Sequence, residues 1–388
     1  MFVLDEITII VLAVVVLVAI TSPFVNLLMS RLKRQEREED EEIETLNDDK
    51  LRPGISIVLT VDDEAEELRN NLPHLLKQKY DGDFQVIVVV CGNDTAVENT
   101  LQTYSDDTHL YTTFIPGSSR YMSRKKLALT VGVKAAKNEW IMMTDVNCRP
   151  ASENWLAAIS QGCSADKSLV LGFSSYEDDY KGTRRFDRTF TLYRQLASAQ
   201  RGKTWAYSGK NLLFRKSMFI SGKGFEGNLK YLRGEYDFIV NKFSDSFNTS
   251  VVLSPDSRII ETGPSNRLWR NGNMFYMATR KVLVSSLMPR ILFNLSMIFM
   301  ALGYILPLVV LVGSIMTERW VLTIAAAVSL IIVAVLRCVV LSKTVGRYVD
   351  EMSAFKMLLL EMTMPLRNFF RLLRYKHTDK YDFICHKV

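Results

Sequence analysis

Trp140-Ile141-Met142-Met143-Thr144-Asp145-Val146-Asn147 is a short apolar run that ends in an acid. Such a run predicts a buried strand and puts the Asp145 carboxylate at the C-terminal edge of a sheet, where open α/β folds hold their ligands. Working outward, residues 125–137 predict a helix that feeds this strand. Before it, residues 84–90 predict another strand that opens through Gly92-Asn93-Asp94-Thr95 into a further helix. Residues 55–60 predict the first strand and 66–78 the helix after it. The alternation of strand and helix predicts an α/β domain with a mostly parallel sheet flanked by helices.

The chain has 388 residues, 48% of them hydrophobic, and the apolar content is concentrated towards both ends. Residues 7–29 are almost uncharged and about the length a spanning helix needs. Asp5 and Glu6 stand where a signal peptide carries its basic region, so the run reads as an anchor that is kept. Residues 291–316 and 320–341 are separated by Thr317-Glu318-Arg319 alone and predict a helical hairpin across the bilayer. Basic residues follow the anchor (Arg31, Lys33, Arg34) and flank the hairpin's open end (Arg280, Lys281, Arg290, Lys343, Arg347). By the positive-inside bias the middle of the chain then faces the cytoplasm of an inner-membrane, multi-pass protein. The expected organisation is an anchor (1–30), a charged linker (31–50), a cytoplasmic domain (51–280), a transmembrane hairpin (281–342) and an amphipathic C-terminal segment (343–388).

Arg337 lies near the inner end of the last span. Its ordinary reading is snorkelling to the headgroups; the sharper one is a buried functional charge. Beyond it, residues 355–375 place Leu358, Leu359, Met362, Leu366, Phe369, Phe370 and Leu373 at helical spacing among basic residues. This fits a helix on the inner leaflet or a helix packed into a core. The formal charge of +6 is assigned to these membrane flanks, because no aromatic-studded basic groove suggests nucleic acid. Five cysteines without metal-ligand spacing read as reduced packing residues.

Several segments together carry a resemblance. They are Lys125-Lys126-Leu127-Ala128-Leu129, the strand ending at Asp145 with Trp155 after it, and Ser208-Gly209-Lys210-Asn211-Leu212-Leu213-Phe214-Arg215 with Gly224-Phe225 following. The last is Gly234-Glu235-Tyr236-Asp237-Phe238-Ile239-Val240-Asn241. Residues 55–280 are similar to family 2 glycosyltransferases, inverting enzymes of the GT-A fold. The resemblance implies nucleotide-sugar contacts at Thr60, Glu64, Asp94, Lys125, Lys126 and Asp145, and an acceptor side at Gly209 and Asn211. It also implies Mg²⁺ or Mn²⁺ at Asp145 and Asn147, a catalytic base at Asp237 and an orienting acid at Glu235.

The chain departs from that family's pattern at three places. The family's second strand ends in a nucleoside-binding acid, whereas here the acid comes late, at Asp94. Its Asp-x-Asp metal motif is Asp145-Val146-Asn147, which lacks one of the negative charges hard cations favour. Its Gln-x-x-Arg-Trp element has no counterpart in residues 269–276, which disfavours a processive synthase. Each site residue also has a plain reading: Asp237 as a helix cap, Asp94 as a turn residue, Asp145 as a loop acid, and the lysines as a solvated helix start. The expected function is transfer of a single sugar from a nucleotide-sugar donor to a lipid-linked or membrane-proximal glycan acceptor. The alternative is a glycosyltransferase-like scaffolding subunit of an envelope-polysaccharide assembly that no longer turns over.

Overall fold

The structure is a computed structural model and describes residues 5–24, 52–117, 123–245, 247–284, 286–349 and 352–384. The expected linker at 31–50, the last residues of the anchor and Cys385 lie outside them. Two compact units partition the chain. One comprises Met1–Leu32, Lys181–Asp187 and Leu287–Leu373; the other comprises Lys33–Tyr180, Arg188–Ser286 and Arg374–Val388.

The second unit is built on a seven-stranded sheet. Strand β1 (Ile55–Val61) is buried along its whole length, as its unbroken apolar and β-branched run requires of a central parallel strand. On one side it pairs in parallel with β2 (Phe84–Cys91), which pairs in turn with β3 (Leu110–Ile115); on the other it pairs in parallel with β4 (Trp140–Met143). Helices α2 (Ala65–Leu76), α3 (Thr95–Gln102) and α4 (Arg124–Ala135) supply the crossovers. Past β4 the direction changes. Strand β8 (Leu212–Arg215) runs antiparallel to β4 and to β6 (Leu169–Gly172), and β6 pairs in parallel with β9 (Thr249–Val252). The order is β3-β2-β1-β4-β8-β6-β9, so strand order reverses between β1 and β4. At such a reversal the crossovers leave on opposite faces and a crevice opens at the strand ends. Here those ends carry Asp62-Asp63-Glu64 and Thr144-Asp145.

A second, three-stranded sheet continues from that edge. Strand β10 (Ile259–Glu261) lies between β5 (Cys148–Pro150) and β7 (Ser174–Tyr176), antiparallel to the first and parallel to the second. The Thr262 N–H donates to the Asn147 carbonyl at 2.9 Å and pins the turn between β4 and β5. Helices α5 (Trp155–Ser160), α6 (Gly182–Ala199), α7 (Lys216–Ser221), α8 (Glu235–Phe243) and α9 (Asn266–Thr279) complete the order up to the apolar C-terminal helices.

Among the described residues, the first unit has three helices long and apolar enough to cross a membrane: Glu6–Phe24, with α1 at Glu6–Thr21, then α10 (Leu287–Met316) and α11 (Trp320–Lys343). Helix α11 buries Leu322, Ala326, Ser329, Val333, Arg337 and Leu341, one stripe at helical spacing. Small residues allow close approach: a Cβ on Gly303 would come within 2.2 Å of Ser22 Oγ. At one end of the three helices, Arg319 in the hairpin turn donates to Asp5 at 3.2 Å and to the Thr8 hydroxyl at 2.8 Å. Towards the other end, Arg337 donates to the Pro23 carbonyl at 2.7 Å. Helices α1 and α11 therefore run in the same direction with α10 against them.

Arg337 does not snorkel. It is 1% exposed and its Nε donates to Glu361 Oε2 at 2.8 Å, with a second bond from Nη2 to Oε1. Glu361 belongs to α12 (Ala354–Lys376), which turns Met357, Leu358, Glu361 and Met364 inward. Phe355, Leu359, Met362, Leu366, Phe369 and Phe370 form an exposed stripe on the same helix, while Arg367 pairs with Asp187 at 2.6 Å. A guanidinium held by two bonds to a buried carboxylate needs no headgroup water, which is why the expected excursion to the surface does not occur.

Removing one member of this pair strands the other charge in an apolar setting. Arg337→Met is expected to destabilise the full chain by about 3 kcal/mol or more, and Arg337→Met with Glu361→Met to recover most of that loss. Thermal denaturation in detergent checks both; equal melting of the single variant and the unsubstituted chain would refute the pairing.

Candidate functional site

The crevice between the ends of β1 and β4 is organised around one carboxylate. Asp145 Oδ1 accepts from Lys125 Nζ at 2.6 Å and from the Tyr236 hydroxyl at 3.1 Å, while Oδ2 faces Lys210 Nζ at 2.7 Å. Four elements meet there. Asp145 follows β4, Lys125 opens α4, Lys210 precedes β8, and Tyr236 opens α8. Lys210 Nζ also lies 4.2 Å from the centroid of the Tyr236 ring, a cation–π contact that fixes it from the other side. Burial alone would push the Asp145 carboxyl up, but the two ammonium groups override it and hold the group well below the usual carboxylate range. Burial works against the Lys125 charge, yet Asp145 and Glu235 keep its proton on.

Lys125 and Lys126 part company. The Lys126 side chain is fully buried, and its ammonium donates to the Asn228 carbonyl at 2.9 Å and to the Tyr231 carbonyl. It holds the loop before α8, and of the pair only Lys125 reaches Asp145. Ser123 caps α4 by accepting from the Lys126 N–H at 3.3 Å, so Lys125 sits in the first turn, at the positive end of the helix.

Glu235 and Asp237 stand in the first turn of α8, behind Gly234 at the N-cap. Gly234 has φ +102°, and a Cβ there would meet Thr279 Cγ2 at 2.7 Å, so glycine is required to start the helix at this place. Asp237 is not the cap: it is buried, and its Oδ1 accepts from the Tyr207 N–H at 3.0 Å. Burial raises its carboxyl to about 7, against the lowering pull of that hydrogen bond, Lys210 and Arg188. Glu235 is 4% exposed and its Oε1 has no hydrogen-bond partner. Asp62 Oδ1 and Thr144 Oγ1, at the two strand ends, are likewise buried without partners.

The remaining expected residues fall into place individually. Thr60 is buried near the end of β1, beside Val89 of β2. Glu64 stands at the start of α2, its carboxyl pushed up by burial and drawn back by the Lys125 charge. Asp94 caps α3, accepting from the Ala96 and Val97 N–H groups at 3.0 and 3.2 Å. The Asn211 amide is buried and ties Phe173 and Ser257 by donating to their carbonyls at 3.2 and 2.7 Å. Gly209 lies over the Tyr207 ring, where a Cβ would come within 2.2 Å of the hydroxyl.

Three groups went unread in the sequence. Lys210 and Tyr236 sit inside quoted motifs, at positions between the residues singled out. Tyr276 of α9 lies within electrostatic reach of Asp237, its phenol raised by burial. Behind them Arg188 donates to Glu261 Oε1 at 2.5 Å and to the Ser208 carbonyl, and Ser174 donates to the same Glu261 oxygen at 2.7 Å. This buried pair holds the 206–211 loop.

The donor set does not fit a divalent cation. Both Asp145 oxygens already carry ammonium partners, and the Asn147 amide, a neutral ligand, turns its nitrogen toward the Thr262 carbonyl at 3.4 Å. Among the described residues no group of three or more His, Cys, Asp or Glu side chains gathers to hold a metal.

A stability measurement isolates the buried acid. Because the Asp237 carboxyl is raised from 3.8 to about 7 in the fold, the folded chain binds more protons than the unfolded chain between those values. Stability therefore falls as pH rises through that window. Asp237→Asn keeps the acceptor for Tyr207 but cannot ionise. It is expected to melt like the unsubstituted chain near pH 4 and higher at pH 8, by up to about 4 kcal/mol of stability. Melting curves at the two pH values check this.

A comparison with curated protein sequences finds no match. Among solved structures, the chain is similar to a mannosyltransferase, PcManGT, from Pyrobaculum calidifontis, in complex with GDP-Man and Mn²⁺. The identity is 14% and the TM-score 0.47, over 93% of this chain and 98% of that one. The motifs resemble family 2, whereas the family model that matches is glycosyl transferase family 21. That match runs over residues 11–375, nearly the whole chain, and the protein belongs to this glycosyltransferase family.

Proposed function

We propose that the protein transfers a single sugar, with inversion, from a nucleotide-sugar donor to a lipid-linked or membrane-proximal glycan acceptor at the cytoplasmic face of the inner membrane. The observation that carries this reading is two carboxylates in opposite environments that both feel the charge of Lys210. Two cations hold the Asp145 carboxyl well below the usual carboxylate range; burial raises that of Asp237 to about 7.

Inverting transfer asks for that division. The acceptor hydroxyl oxygen attacks the anomeric carbon from one face of the sugar and gives its proton to Asp237, while the bond to the diphosphate oxygen breaks on the other face. The leaving diphosphate takes the electron pair and meets the positive charge of Lys125 and Lys210. A base with its pKa near the working pH is both available and strong enough to accept the proton. Glu235, in the same first turn, orients the acceptor or the donor sugar. The exposed apolar stripe of α12 and the basic flanks of the spans support an acceptor held at the inner leaflet.

A panel of nucleotide sugars offered to the detergent-purified full chain, read by release of nucleoside diphosphate, tests the reaction. Asp237→Asn is expected to bind donor yet turn over about a hundredfold more slowly or worse, with Glu235→Gln losing less. The unsubstituted enzyme's kcat/KM should fall below about pH 7, following the Asp237 carboxyl. Full activity in Asp237→Asn would remove it as the base. Nucleotide binding without turnover by the unsubstituted chain would favour the scaffolding role.

The proposed orientation has its own check. Ser105, exposed after α3, is expected as Ser105→Cys to escape a membrane-impermeant maleimide added to intact cells and to react once the cells are permeabilised. Labelling from outside would overturn the topology.

A further inference from the structure

Asp145 is the acid on which a divalent cation would be expected, and two lysines hold it instead. Their separate origins make the arrangement a built one: Lys125 comes from the start of α4 and Lys210 from the loop before β8, and each reaches a different oxygen of the same carboxylate, at 2.6 and 2.7 Å. Tyr236 completes the cage, donating to Oδ1 at 3.1 Å and presenting its ring to Lys210 at 4.2 Å. The charges sum tellingly. Two ammonium groups carry the same +2 as a magnesium or manganese ion, so the cluster with Asp145 has the net +1 that a divalent ion on one carboxylate would have. The second acid that would strengthen a metal site is the neutral Asn147, whose amide nitrogen faces the Thr262 carbonyl.

We propose that Lys125 and Lys210 take the place of a divalent cation in this site and bind the donor's diphosphate directly, so that donor binding needs no metal. This rests on the nucleotide-sugar reading above. An ammonium has three donors, and each lysine gives one to Asp145, which leaves N–H groups for phosphate oxygens while the carboxylate keeps the side chain in place. Lys125 adds the field of the α4 N-terminus, where anions are favoured. Asp145 is then a positioning residue that keeps two cations together against their mutual repulsion. Lys210 is a diphosphate-binding residue at the x of Gly-x-Asn-Leu.

The test is calorimetric titration of the full chain in detergent with UDP and with GDP, in EDTA and again in Mn²⁺. The unsubstituted chain is expected to bind at least one of them in EDTA, with an affinity that Mn²⁺ changes less than threefold. Lys210→Met is expected to bind at least tenfold more weakly in EDTA, and Mn²⁺ to restore part of the loss, because Asp145 Oδ2 is then free to ligate it. Lys210→Arg, which keeps the charge, should retain metal-free binding. Binding by the unsubstituted chain that vanishes in EDTA and returns with Mn²⁺ would overturn the proposal, and this arm requires no variant to fold. So would unchanged EDTA affinity in both Lys210→Met and Lys125→Met. If neither nucleotide binds in either condition while GDP- and UDP-sugars also fail in the turnover assay, the donor reading itself falls, and this inference with it.

Discussion

The Asp145 carboxylate is the constraint from which the crevice takes its shape. A lone buried carboxylate would be costly, and two lysines brought together without it would repel one another. Held as one cluster, they join the end of a parallel strand, the start of a helix, an antiparallel strand's approach and the first turn of α8. The sheet makes this possible: the reversal of strand order between β1 and β4 opens the space, and β8, antiparallel to β4, delivers Lys210 to the strand end where Asp145 emerges. Arg188 and Glu261 then fix the loop that carries Lys210 from behind.

The same principle operates in the apolar unit, with a different result. Arg337 and Glu361 are both buried, joined by two bonds, and Arg337 Nη1 donates to the Pro23 carbonyl. One ion pair thus ties α1, α11 and α12. Ala326 and Ser329 are buried along α11 and Gly303 lies against Ser22, while the exposed apolar side chains of the three long helices are the ones a hydrocarbon solvent would cover. Arg319 with Asp5 and Thr8 repeats the device at the far end, in a more exposed setting where such a pair contributes less.

What the chain declares about itself follows the range of the interaction. Strands β1, β2 and β4, the helices expected beside them and the three apolar spans were legible because hydrophobic periodicity and run length are local signals, whereas the half-exposed β3 carries no unbroken apolar run and went unread. Strand ends came within a residue or so, from β1 at Ile55–Val61 to β4 at Trp140–Met143. The antiparallel strand β8 and the second sheet were not, because their pairings join residues far apart, such as Met142 with Leu213 or Cys148 with Glu261. In the site, Asp145 and Asp237 could be read from their motifs. Lys125 and Lys126 could not be told apart by type, although successive residues on a helix point about 100° apart and only one could face the crevice. Lys210 sits at a position that a motif leaves open, and only the pairing of β8 with β4 gives it meaning. Arg337 looked like a snorkelling residue because its partner stands in another helix, in a segment whose other residues spell an amphipathic surface.

Two carboxylates that share Lys210 as a neighbour acquire different chemistry from the rest of their surroundings. Asp145 and Asp237 begin from the same side chain, and both are deeply set. Burial disfavours the charge on each. At Asp145 two ammonium groups in direct contact more than cancel that effect; at Asp237 one backbone N–H and more distant cations do not. The first sits as a carboxylate between two positive charges, its carboxyl held well below the usual range. The second can exchange a proton near neutrality, since its ionised form is held at a cost that protonation relieves. That cost is borne by the fold, which sets the carboxylate in the first turn of α8, after Gly234, whose left-handed backbone glycine adopts freely. The difference between the two carboxylates is thus a property of packing, set by the neighbours each one has in the fold.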